Sequence, residues 1–264
     1  MSQAGMSLLS LRALTRRYAG LVAVDALDLD IEAGGIHALI GPNGAGKTTL
    51  FNLVSGLERP SSGRILLAGQ DITDLAPDRR AREGLARTFQ NIRLFGEMSV
   101  AENAMAGLHV RARASLPEIV ARLPRFRREE VAAHTATAAA LELVGLSAQA
   151  RRPAAALAYG DQRRLEIARA VVAGPRLLLL DEPAAGMNPS ETQALAALVR
   201  RIAAAGATVL LVEHDMGFVM GLADTVTVLS FGKKLFHGEP GAARRDRAVI
   251  EAYLGHKLAA RLVA

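Results

Sequence analysis

The stretch IHALIGPNGAGKTTLFNLVSGL, residues 36–57, passes from an apolar segment through a glycine-rich turn into a run where Leu50, Leu53, Val54 and Leu57 share one helical face. Its turn, GPNGAGKT at 41–48, matches the pattern G-x-x-x-x-G-K-[ST] in the strand–loop–helix setting that this pattern requires. Glycines at these places let backbone amides curl round a phosphate. The lysine brings a point charge to the same oxygens, and the closing hydroxyl suits a magnesium ion. The candidate phosphate-binding residues are therefore Gly41, Pro42, Asn43, Gly44, Ala45, Gly46, Lys47, Thr48 and Thr49, with Thr48 also a candidate Mg2+ ligand.

Working outward, LVAVDALDLDIEAGG at 21–35 places Leu27, Leu29 and Ile31 at period two, a half-buried strand ended by Gly34-Gly35. SSGRILLAGQDIT at 61–73 and TVTVLSFGKKLFHGEP at 225–240 read as pairs of antiparallel strands. Residues 97–156 are rich in Ala and Arg and helical in pattern, interrupted near Pro117 and Pro124. RLLLLDE at 176–182 and ATVLLVEHD at 207–215 are apolar strands separated by a helix over 189–206, and RAVIEAYLG at 247–255 is a short closing helix. Strands alternating with helices predict an α/β domain with a largely parallel central sheet, and the run 97–156 predicts a helical insertion.

The 264 residues suit one domain with a sub-lobe. Half of them are hydrophobic, yet no apolar run approaches the roughly 18 residues a membrane span requires. The N-terminal segment shows no export signal. Cysteine is absent, which excludes disulfides and thiolate metal sites and agrees with a reducing cytoplasm. A net charge of +6 fits a nucleic acid, an anionic membrane surface or simply a solvated Arg-rich exterior. That charge is scattered except around residues 111–130.

Two strands end in chemistry. Asp181 and Glu182 emerge at the carboxyl edge of an α/β sheet, where ligands bind. Asp181 is placed to hold magnesium through water, and Glu182 to polarise an attacking water. His214 stands just past a neighbouring strand, where an imidazole can contact a γ-phosphate. Gln90, in RTFQNIRLF after a strand ending at Phe89, is a candidate ligand of Mg2+ or of that water. Tyr18 can stack on an adenine ring or serve as a core aromatic. His37, His109, His134, His237 and His256 lack such a setting and read as structural. In LAYGDQRRLEIARA at 157–170, the pair Tyr159-Gly160 stands before a helical run and offers a second anion site at a helix N-terminus.

Taken in order, Tyr18, GPNGAGKT, Gln90, LAYGDQ, LLLLDE, GMNP and His214 resemble the ATP-binding cassette (ABC) ATPases over residues 7–255. The resemblance implies a P-loop NTPase core with an antiparallel β-subdomain and an α-helical subdomain at about 97–160, followed by a tail at 256–264. It implies ATP and Mg2+ as cofactors, and catalytic roles for Glu182, His214 and Gln90. It assigns Mg2+ to Thr48, Gln90 and Asp181. It also explains the second anion site: Ala158, Tyr159, Gly160 and Asp161 occupy the signature loop, which binds ATP held by a partner's P-loop in a head-to-tail dimer. The usual signature serine is Ala158 here, and the facing loop carries Asn188 where Asp is common. Losing one neutral hydrogen bond is worth about 0.5–1.5 kcal/mol, so weakened trans binding is expected, with hydrolysis retained.

Within the family the likeness is greatest to ATPase subunits of branched-chain amino acid importers, through segments 87–109, 157–170, 181–192, 213–224 and 249–255. That implies two transmembrane permeases, a second ATPase that is identical or related, and an extracytoplasmic solute-binding protein acting indirectly. The chain would then lie on the cytoplasmic face of the inner membrane, with no nucleic acid bound. Arg111, Arg113, Arg122, Arg125, Arg127 and Arg128 lie near anionic lipid headgroups or on a solvated helical face. Alternatives are another cargo (urea, short amides or exported lipopolysaccharide), a soluble cassette acting on DNA or ribosomes, and a non-catalytic regulatory cassette.

Overall fold

The structure, a computed structural model, describes residues 7–111, 118 and 123–254. Arg113, Pro117, Arg122, His256 and the tail 256–264 lie outside the described residues. Strands β1 (Ser7–Tyr18) and β2 (Leu21–Glu32) form an antiparallel hairpin, after which β3 (Ile36–Ile40) enters a second sheet and feeds α1 (Lys47–Ser55). β4 (Ser62–Leu67) and β5 (Gln70–Asp71) return to the first sheet, whose order is β2-β1-β4-β5. Next come α2 (Pro77–Arg82), β6 (Leu85–Arg87), α3 (Val100–Ala106), α4 (Pro124–Val144) and α5 (Tyr159–Val171). β7 (Leu177–Asp181), α6 (Pro189–Ala204), β8 (Thr208–Val212), α7 (Met216–Leu222), β9 (Thr225–Ser230) and β10 (Lys233–Gly238) follow, then α8 (Pro240–Ala243) and α9 (Arg247–Leu254).

The second sheet has the order β10-β9-β3-β8-β7-β6, parallel except for β10 on β9. Its central strands are buried on both faces, which is why RLLLLDE and ATVLLVEHD read as continuous apolar runs without alternation. The period of two reappears in where the side chains go. Ile36, Ala38, Ile40, Leu178, Leu180, Val209 and Leu211 pack with α5, α6 and α7, whereas Leu39, Leu177, Leu179, Leu210 and Val212 pack with α1 and the antiparallel sheet.

Three boundaries differ from the sequence reading. Pro124 opens α4 at its first turn, where its missing N–H costs nothing, so it starts a helix instead of interrupting one. The strand before Gln90 ends at Arg87, and Phe89 and Gln90 lie in a loop. Helix α5 begins at Tyr159, so Tyr159 and Gly160 form its first turn, with Ala158 as an N-cap that lends no side-chain bond.

Candidate functional site

The turn between β3 and α1 is built by two glycines with no alternative. Gly41 (φ 152°) and Gly46 (φ 102°) have positive φ, and a Cβ on them would fall 2.2 Å from the Leu229 carbonyl oxygen and 2.3 Å from that of Ala23. The backbone is thereby pressed against β9 and β2. The first helical bond of α1 runs from the Leu50 N–H to the Gly46 carbonyl, and no side chain caps the helix. The amides of Lys47, Thr48 and Thr49 are thus left for a ligand, at the positive end of the helix dipole. Lys47 Nζ is buried and donates to the Gly41 and Pro42 carbonyls at 2.7 and 3.0 Å. Burial pulls its amine below the usual lysine range, opposed by the charge of Glu182. An anion with several acceptor oxygens fits this cradle.

Glu182 lies one strand away across β8, just beyond the end of β7. It holds the left-handed backbone at φ 45°, a conformation that costs a non-glycine residue roughly 1–3 kcal/mol. Its N–H bonds the Val212 carbonyl at 3.0 Å, which ties the turn to β8. Gln90 Nε2 donates to Glu182 Oε2 at 3.0 Å, and His214 Nδ1 lies 3.8 Å from Glu182 Oε1. The three residues chosen for catalysis therefore meet at one carboxylate. Lys47 senses it electrostatically from the phosphate loop.

Asp181 is buried and paired with Arg87, Nη2 to Oδ2 at 2.8 Å. Arg87 also donates to Asn52 and Ser55 on α1, and its guanidinium lies between the rings of Phe51 and Phe89. Glu213, buried beside His214, accepts the N–H groups of Ala184 and His214 and so joins the loops that follow β7 and β8. Burial pushes its carboxyl up, against the pull of those two amides.

At the other end, Tyr159 on α5 donates its hydroxyl to the Ala185 carbonyl at 3.0 Å, and a Cβ on Gly160 would meet Glu191 at 2.9 Å. Asn188 caps α6: its side chain accepts from the Glu191 N–H, and Glu191 returns the bond to the Asn188 N–H. Asn and Asp are equally good at an N-cap, so the Asn for Asp exchange preserves this local architecture. Ala158 and Tyr159 are exposed and Asp161 pairs with Arg164. Tyr18 is partly exposed, its hydroxyl bound to Glu58 and its ring covered by Arg16 at 4.5 Å. It is thus at the surface and not in the core.

Sequence reasoning missed Arg87, Glu213, Arg163 and Glu166. Arg87 carried a usable signal, as a charge closing a strand that its partner β7 shows to be buried. The others show no signal until the helices and loops are packed.

A P-loop between β3 and α1, a carboxylate at the end of β7 and an imidazole beyond β8, on a sheet flanked by an antiparallel lobe and a helical lobe, define a nucleotide-binding ATPase. The chain belongs to the ABC transporter family, whose model matches residues 24–185. A model described as branched-chain amino acid ATP-binding cassette transporter matches residues 233–259. The chain is 46% identical over 249 residues to the high-affinity branched-chain amino acid transport ATP-binding protein LivG of Escherichia coli, covering 94% of this chain and 98% of LivG. It is 45% identical over 249 residues to BraF of Pseudomonas aeruginosa, which carries the same description, with the same coverage. Among solved structures, an ABC transporter cassette in its ADP conformation matches with a TM-score of 0.82 at 28% identity, covering 95% of this chain and 100% of that one. A nucleotide-free cassette gives 0.80 at 28% identity, covering 94% and 99%.

Proposed function

We propose that this chain is the ATP-hydrolysing subunit of an importer of branched-chain amino acids. It works from the cytoplasmic face of the inner membrane beneath two permeases, as one of a head-to-tail pair of cassettes. The observation that carries the ATPase reading is the meeting of Gln90 and His214 on Glu182, within electrostatic reach of Lys47. The cargo reading is supported by the likeness to LivG and BraF, both branched-chain amino acid transport ATP-binding proteins, and by the match over residues 233–259. Residues 7–255 act as one cassette with a helical lobe at about 97–160.

Residues 41–49 grip the phosphates of ATP through amides and Lys47, while Tyr18 supports the base. Thr48 and Gln90 would offer Mg2+ the hard oxygen donors that suit it, and Asp181, buried and paired with Arg87, would hold the ion through water. When bound there, Mg2+ would neutralise negative charge on the phosphates. Glu182 accepts a proton from the attacking water, Gln90 orients that carboxylate, and His214 contacts the γ-phosphate. The amides at the start of α5, from Tyr159 and Gly160, close on the nucleotide of the second cassette. Loss of the γ-phosphate removes these contacts and the pair reopens. A cavity of about 810 Å³ between the lobes is lined by Leu85, Phe89, Phe95, Met98, Met105 and Val110, and is the proposed seat of a permease segment. Its wall includes Phe89, the residue before Gln90, so closure around the nucleotide moves that wall.

Glu182→Gln tests the base. ATP binding and an ATP-dependent dimer on gel filtration are expected to persist while phosphate release stops. Full hydrolysis in this variant would refute the assignment.

A further inference from the structure

Helix α5 carries a buried charged pair that the ATPase chemistry above does not use. Arg163 and Glu166 are 0% and 1% exposed and lie 2.8 Å apart. Apart from the buried Arg163 Nε, which has no hydrogen-bond partner, their further hydrogen bonds go to one loop segment at residues 89–90. Arg163 Nη1 donates to the Phe89 carbonyl at 2.8 Å and Nη2 to the Gln90 carbonyl at 2.7 Å, while the Phe89 N–H donates to Glu166 Oε1 at 3.4 Å. Two turns along the helix, Arg169 donates to the Arg93 carbonyl. The loop so held has no ladder bonds of its own beyond Thr88, whose N–H reaches Leu179. A buried ion pair is weak evidence for stability, since apolar residues of similar volume hold a core as well or better. What the fork of a guanidinium adds is geometry, because two carbonyls in sequence are gripped at fixed positions.

We propose that Arg163 and Glu166 are positioning residues for Gln90. They clamp its backbone to the helix that begins at Tyr159-Gly160, so that the end of α5 serving one nucleotide site and the Gln90–Glu182 contact serving the other move as one body. The proposal rests on the roles given above to Gln90 and to the start of α5. In a head-to-tail pair it supplies a rigid path of one helix turn between the two sites of each subunit. The path runs from Tyr159 and Gly160 through Arg163 to the 89–90 backbone, and from the Gln90 amide to Glu182 Oε2 at 3.0 Å.

The test uses the full chain and compares Arg163→Lys, the double variant Arg163→Met/Glu166→Leu, and Glu182→Gln. Four quantities are read: melting temperature, affinity for a fluorescent ATP analogue, kcat with KM, and hydrogen exchange of peptides spanning 88–94. The double variant should melt near the parent and bind nucleotide with unchanged affinity. Its exchange over 88–94 should quicken, and kcat should fall at least about tenfold, as small displacements of a catalytic group do. Arg163→Lys, able to reach one carbonyl, should recover part of kcat. Should the double variant fail to fold, a fall in kcat at constant KM in Arg163→Lys carries the test, and parental kcat there overturns the proposal. Parental exchange over 88–94 overturns the clamp whatever Glu182→Gln does. Full turnover in Glu182→Gln together with quickened exchange sinks the assignment of the base and leaves the clamp standing.

Discussion

Removing Arg87 should unsettle the whole nucleotide face, and the size of the effect can be worked from its surroundings. Its guanidinium and the Asp181 carboxylate are 7% and 8% exposed and meet at 2.8 Å. Arg87→Met keeps much of the apolar stem but leaves Asp181 buried without a counter-charge and takes donors from Asn52 and Ser55. Breaking one side of a buried pair costs about 3–5 kcal/mol. In a chain of this size, each kcal/mol moves the melting temperature by about 2–4 °C, so a drop of about 6–20 °C is expected. Thermal unfolding followed by circular dichroism would measure it, beside Asp181→Asn and the double variant. Asp181→Asn removes the stranded charge, so the double variant should be less damaged than the sum of the singles, by about 0.5–3 kcal/mol for groups in contact. If Arg87→Met melts with the parent, or the two substitutions simply add, then the pair is not what holds Asp181 in place.

Two further outcomes follow from the phosphate loop and from the far end of the sheet. Gly46→Ala should cost more stability and nucleotide affinity than Gly44→Ala. Both demand positive φ, worth roughly 1–2 kcal/mol for a side chain, but only at Gly46 would the Cβ collide, 2.3 Å from Ala23 O; equal losses in melting and binding would contradict this. His37 is buried, and burial pulls its imidazolium below the ordinary value of 6.5. The unfolded chain therefore takes up the proton first, so this contribution to stability is present above pH 6.5 and is lost as pH falls below it. His37→Gln should flatten the acid side of the melting-temperature profile, and an unchanged slope would place the proton uptake elsewhere.

How much of this was legible before folding depends on how far each feature lies from its cause along the chain. The phosphate loop was readable because its strand, turn and helix are contiguous, and its glycines are demanded by contacts that any such loop makes. Glu182 and His214 were readable for a related reason. A buried parallel strand that suddenly ends in polar residues must be delivering them to the carboxyl edge of the sheet. The Asn188 cap could also have been read, since Asn-Pro-Ser-Glu places a cap residue, a proline at the first turn and an acid at the third. Arg163 shows where such reading stops. On a helical wheel it is a polar residue in a run of polar residues, and a solvated face is the natural inference. Its burial arises only because the loop at 89–90, more than seventy residues earlier, presents two carbonyls to it. The sequence had marked Gln90 by its own chemistry. What places that amide against Glu182 is a helix whose opening turn had already been assigned to the other nucleotide. The two readings are joined only by backbone carbonyls, which have no letter in the sequence.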